Sequence, residues 1–246
     1  MKKILIILIV ILALVGCSRN QVRKQLPVEQ RMELANHYYE EGRYRRAADH
    51  YQEVVFERRS IHTPLAQFRL AESFFYLGRY EDAVFEYREL IRLFPDFREI
   101  NIAYFRIGES YMNQSRSPHL SQQETIAAID AFNVFLDRFP FDAKRDQALQ
   151  YIQQAQYTLL EKKFYNGYIY YKLLDYSASL LYLEEIIELG NRNELDKKSR
   201  YYAALIHLNR GDKENAKPLV DTLIEYYPNT REANRVARRY ARQFGD

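Results

Sequence analysis

Small and aromatic residues recur along this chain at helical spacing. Ala148, Ile152, Ala155 and Leu159 share one helical face, as do Ala233, Val236, Ala237 and Tyr240, while Arg235, Arg238, Arg239 and Arg242 fall on other faces. A longer pattern contains these. LANHYYEEGRYRRAADHYQEVV begins at Leu34, and 36 residues later LAESFFYLGRYEDAVFEYRELI begins at Leu70, aligning without a gap. Each shared position has a physical task. Ala35 and Ala71 let one helix approach its partner, Gly42 and Gly78 turn the chain, Ala47 and Ala83 fit under the crossing, and Tyr51 and Tyr87 fill the interface. Pro95 stops the second helix of its pair.

The same offsets find three more copies. Gly108, Tyr111, Ala128, Phe132 and Pro140 mark a third, whose halves are separated by an exposed Ser- and Gln-rich loop within 113–124. Gly167, Tyr171, Ser179 and Ile186 mark a weaker fourth without the turn glycine, and Ala204, Gly211, Ala216, Leu223 and Pro228 a fifth. The step from Gly108 to Gly167 is 59 residues, and 143–160 extends the fourth copy's first helix into a rod ending near Leu174. The pattern resembles the tetratricopeptide repeat. It predicts an all-α superhelix of about five helical hairpins, at about 28–61, 64–97, 101–142, 143–193 and 197–230, closed by a capping helix at 231–243. The concave face of such a stack receives an extended peptide or a partner helix. The offsets place Met32, Tyr39, Phe68, Phe75, Tyr76, Phe105, Tyr168 and Tyr171 in that groove, with Tyr201, Leu205 and Leu208 continuing it. Aromatics there suit apolar side chains of a ligand.

The N-terminus changes the picture. Lys2 and Lys3 precede twelve apolar residues, Ile4 to Val15, a run well short of the about 20 needed to span a bilayer. Leu14-Val15-Gly16-Cys17 resembles the lipobox of bacterial lipoproteins, and Cys17 is the chain's single cysteine. Residues 1–16 therefore read as a signal peptide, Cys17 as the acceptor of palmitate-type acyl chains, and 17–27 as a polar leash. Ser18 after the cysteine favours the outer membrane over the inner. Cleavage leaves 34 basic against 33 acidic residues, which argues against nucleic acid as a partner.

One cysteine and five scattered histidines offer no metal-ligand spacing, and no nucleophile, zincin or phosphate-loop motif occurs. The expectation is a binding protein without cofactor or metal. Lipobox, basic leash, five hairpins, the long fourth helix and helix endings such as LIRLFPD, FLDRFPF and LIEYYPN together resemble the BamD (ComL/YfiO) family of outer-membrane β-barrel assembly lipoproteins. The resemblance implies a periplasm-facing scaffold in a Gram-negative-type bacterium. Its implied partners are a BamA-like β-barrel insertase, other assembly-machinery subunits and unfolded outer-membrane proteins. The N-terminal groove would take unfolded chains, and Arg235, Arg238 and Arg239 would dock on the insertase. Other tethered repeat lipoproteins stay open: a pilotin for a secretin or pilus, a Tol-Pal coordinator, or a SusD-type nutrient binder.

Overall fold

The computed structural model describes residues 26–57 and 60–245, so Cys17 and the rest of 1–25 lie outside the described residues. Among the described residues there are eleven helices and no strand: α1 Val28–Glu40, α2 Tyr44–Phe56, α3 Thr63–Tyr76, α4 Tyr80–Leu93, α5 Ile100–Gln114, α6 Gln123–Arg138, α7 Arg145–Lys172, α8 Tyr176–Glu188, α9 Glu194–Arg210, α10 Lys213–Tyr226 and α11 Arg231–Phe244. Two compact units divide them, one running to Arg79 with α1 to α3, the other from Tyr80 with α4 to α11.

In the first unit α1 packs on α2, and α2 on α3. Ala35 and Ala47 are wholly buried, and the Tyr51 hydroxyl donates to Asn36 Oδ1 across the pair at 2.7 Å. The turn between these helices needs a left-handed residue. Gly42 supplies it at φ 70°, which lets the Gly42 and Arg43 N–H groups bond back to the carbonyls of Tyr39 and Tyr38.

The second unit builds its crossings from the same repeat position with different residues. Gly108 of α5 faces Phe132 of α6 so closely that a Cβ there would stand 2.6 Å from the ring. Gly167 of α7 faces Leu183 of α8, where a Cβ would stand 3.0 Å from the side chain, and the Ser179 hydroxyl donates to the Gly167 carbonyl at 2.8 Å. Ala204 and Ala216 close the α9–α10 pair. The loop before α6 is 115–122, inside the Ser- and Gln-rich stretch 113–124. It is tied internally: the Gln122 amide donates to the carbonyls of Ser117 and Leu120.

The 28-residue α7 is one rod about 42 Å long serving two cores. Ala148 and Ile152, near its start, complete a cluster with Phe105, Phe132 and Phe135, all three fully buried. Each buried Phe contributes about 2–3 kcal/mol of apolar transfer energy. Phe164 and Tyr171, toward its end, pack against the cluster of Leu180, Leu183, Ala203 and Ile206. At the chain's end α11 buries Ala233, Val236 and Tyr240 against Leu205, Leu208, Val220 and Leu223. That contact covers the apolar side of the fifth hairpin, as a terminal repeat requires.

Candidate partner-binding surfaces

In the first unit the exposed aromatic surface forms where α1, α2 and α3 end or begin. Tyr44 and Tyr76 stack at 4.8 Å between centroids, and Tyr39 meets both edge-on at 5.4 and 6.3 Å. Tyr76 is 46% exposed and presents one ring to solvent, with Phe75 half-buried beside it. Tyr39 is more constrained. The Arg69 guanidinium lies 4.6 Å above its ring, and its hydroxyl donates to the buried Glu72 at 3.4 Å. Burial and the Glu72 charge push the Tyr39 hydroxyl well above the usual tyrosine range, so it stays a neutral donor.

A second aromatic surface lies wholly in the second unit. The ring of Tyr202 on α9 sits among Tyr171 at 4.9 Å, Tyr168 at 5.2 Å and Phe164 at 6.1 Å, all from α7. These rings are half-buried. Burial, then the neighbouring tyrosines, pushes the Tyr202 hydroxyl up to about 12. Tilted rings at these separations attract one another edge to face, and a tyrosine side chain has few rotors to fix, so the cluster is ordered at small entropic cost.

Several positions differ from the sequence expectation. Met32, Phe68 and Phe105 are buried and cannot line an open groove. Phe105 packs edge-on against Phe132 and Phe135 in the α5–α7 core, under the Lys144 ammonium at 4.6 Å. Tyr201, Leu205 and Leu208 belong to the core beneath α11 instead of a groove. The residue that does meet the α7 rings is Tyr202, one position on. Adjacent helical residues point about 100° apart, so a register shift of one exchanges core for surface. Nearby, the buried Glu109 pairs with Arg106 at 2.7 Å and accepts from the Tyr151 hydroxyl at 3.3 Å.

The arginines of α11 divide in two. Arg239 is half-buried and donates to Asn209 Oδ1 at 2.7 Å, which holds α11 on α9. Arg235 and Arg238 are exposed, and Arg231 and Arg242 join them around a depression of about 470 Å3. Among the described residues no group of His, Cys, Asp and Glu could hold a metal, and no helix is long and apolar enough to cross a membrane.

These hairpins have known relatives. One tetratricopeptide-repeat model matches residues 32–96 and again 68–143, and a second matches 198–230, together more than half of the chain. The chain belongs to the tetratricopeptide-repeat family. Within it the sequence is BamD-like: it is 24% identical over 190 residues, 77% of this chain and 76% of the relative, to the outer membrane protein assembly factor BamD of Rickettsia prowazekii (strain Madrid E). Solved tetratricopeptide-repeat structures are similar at a lower level. The P58(IPK) domain is 20% identical over 89% of this chain at a TM-score of 0.43, and the match spans 56% of that domain. The TPR2AB domain–pHSP90 complex of yeast Sti1 is 16% identical, covering 88% of this chain and 82% of that one at a TM-score of 0.47.

Proposed function

We propose that this tetratricopeptide-repeat chain is a lipid-anchored scaffold of outer-membrane β-barrel assembly, held at the outer membrane through Cys17 and facing the periplasm. The observation that carries the reading is the likeness to BamD over three quarters of both chains. The exposed ring of Tyr76, with the half-buried rings of Tyr44 and Phe75 beside it, would hold apolar side chains of unfolded barrel proteins. They are pre-packed against one another, so binding orders little on the scaffold side. A BamA-like insertase would dock on the second unit, where Arg235 and Arg238 stand exposed and Tyr168, Tyr171 and Tyr202 pack together.

The work asked of such a scaffold is positional. It needs no proton transfer and no cofactor, only two surfaces that hold a client and an insertase on one tethered chain, which raises the effective concentration of each for the other. Purification of the native lipoprotein in mild detergent, followed by mass spectrometry of what travels with it, tests the reading. A β-barrel insertase should be recovered. A secretin ring or Tol components, with no barrel insertase, would replace the proposal with the pilotin or coordinator reading.

A further inference from the structure

The proposed function leaves open what the outward face of α11 recognises. On a helix turning 100° per residue, Arg231, Arg235, Arg238 and Arg242 fall within an arc of about 60°. They form a row about 16 Å long. Arg239 lies about 40° outside that arc, toward the buried side, and is engaged by Asn209, while Ala233, Val236 and Tyr240 on the opposite side are buried. The depression the row surrounds is lined by arginines and Asn234 without a single carboxylate. Among the described residues none of the four guanidiniums makes an ion pair.

Covering the fifth hairpin does not call for this arrangement. Like charges at i,i+4 destabilise a helix by a few tenths of a kcal/mol per pair, and the row holds two such pairs, Arg231 with Arg235 and Arg238 with Arg242. Opposite charges at this spacing avoid the cost, as the Lys217–Asp221 pair on α10 shows. The cationic surface is also local, since the processed chain holds 34 basic and 33 acidic residues. The aromatic platform lies beside α11: Tyr171 and Tyr202 pack against the cluster that holds Val236 and Tyr240 of that helix, and Arg235 acts electrostatically on both hydroxyls.

We propose that Arg231, Arg235, Arg238 and Arg242, continued by Tyr171 and Tyr202, seat an acidic segment of a protein partner. Its carboxylates would be spaced about one helical turn apart, with an aromatic side chain nearby. Guanidinium groups grip carboxylates with two parallel hydrogen bonds, so the row fixes register as well as sign. A membrane is the weaker occupant, because α11 has its apolar residues buried in the fold and keeps none to insert. This deepens the scaffold reading and rests on it for the partner's identity, not for its chemistry.

The probe is a fluorescent peptide of repeating Glu-Ala-Ala-Ala, with repeating Gln-Ala-Ala-Ala as control, titrated with the full chain in detergent. The glutamate peptide should bind and the glutamine peptide should not, with affinity falling steeply as salt rises. Changing all four arginines to glutamine should weaken binding at least tenfold. Arg238→Gln alone, which leaves the rest of α11 intact, should weaken it a few-fold and guards against a folding artefact in the fourfold variant. A Phe added to the glutamate peptide should tighten binding, and Tyr171→Ala should erase that gain alone. Equal binding of the two peptides, or no loss in either arginine variant, overturns the proposal. So does displacement of the peptide by mixed micelles of that detergent with anionic but not with neutral phospholipid, which would make the row a lipid-headgroup site. Peptide binding without recovery of an insertase from cells would sink the scaffold reading and leave the acidic-segment site standing.

Discussion

The fourth and fifth hairpins turn at the same repeat position with opposite chemistry. In the fifth, Gly211 takes φ 72° and Asp212 caps α10, accepting from the Asn215 N–H at 3.1 Å. In the fourth, Leu174 takes φ 63° and Asp175 caps α8, accepting from the Ala178 N–H at 3.1 Å. The backbone path is alike, but a leucine pays a steric penalty there that glycine does not. The small position differs too, Gly167 against Ala204, and so does the crossing beneath it, Ser179 against Ala216. The family models match the fifth hairpin and pass over the fourth. A repeat can therefore lose its sequence signature and keep its geometry, provided other residues replace what each signature position did.

The largest effect should come from the small position. At Gly108, the third hairpin's equivalent, a Cβ would stand 2.6 Å from the Phe132 ring, and that ring is wedged between Phe105 and Tyr151. Gly108→Ala should destabilise by about 1–3 kcal/mol through overpacking. Gly167→Ala should cost far less, because its nearest neighbours at 3.0 to 3.2 Å are side-chain atoms of Leu183 and Tyr182, and alanine gains helix propensity. Thermal unfolding of the two variants side by side checks the order. Equal losses would mean that the two crossings are equally tight.

Next in size is the turn itself. Gly211→Leu should destabilise by about 1–2 kcal/mol, since the left-handed backbone is strained for any Cβ even where space is open. Leu174→Gly should do the reverse and raise the midpoint of unfolding. Its gain of about 0.5–1 kcal/mol is smaller, because glycine also loosens the unfolded chain. A Leu174 side chain that is 70% exposed has little packing to lose. Destabilisation by Leu174→Gly would show that the leucine contributes contacts that outweigh its strain.

What the sequence made legible follows from the same contrast. Positions with one physical solution were readable: Gly42, Gly78 and Gly211 at left-handed turns, Ala35, Ala47 and Ala71 at tight crossings. Positions with two solutions were not. An aromatic on the first helix of a hairpin satisfies the pattern whether it faces core or surface, which is why Phe68 and Phe105 read as groove residues and are buried. The division of the α11 arginines was accessible in principle. Measured from the apolar axis through Val236 and Tyr240, Arg239 stands nearer the buried side than Arg231, Arg235, Arg238 or Arg242.

The crossing under the fourth hairpin offers a sharper test than its turn. Replacing Ser179 by the alanine found at the same place in hairpins one and five restores the family pattern. It also removes the hydroxyl that donates to the Gly167 carbonyl in a fully buried site. Ser179→Ala should cost about 0.5–1.5 kcal/mol, the net worth of one hydrogen bond. A gain in stability on this change would mean that the signature residue is better in every hairpin, and the idea of local replacement would fail.

The smallest expected effect is the pH dependence of the Asp212 cap. The side chain and backbone N–H of Asn215 hold the Asp212 carboxyl below its ordinary value of 3.8, with a smaller contribution from His207, whose Nδ1 lies 3.0 Å away. A carboxyl whose folded value is depressed adds stability that is complete above the unfolded value and disappears as pH falls through the folded one. Asp212→Asn keeps a capping oxygen but removes the charge. The variant should therefore unfold at a slightly lower temperature than the wild type at pH 7, and the gap should close as pH is brought below 3.8. A gap that stays constant down to strongly acid pH would assign Asp212 a purely geometric capping role, as a neutral oxygen would supply, and erase the electrostatic difference between the fifth hairpin's turn and a simple cap.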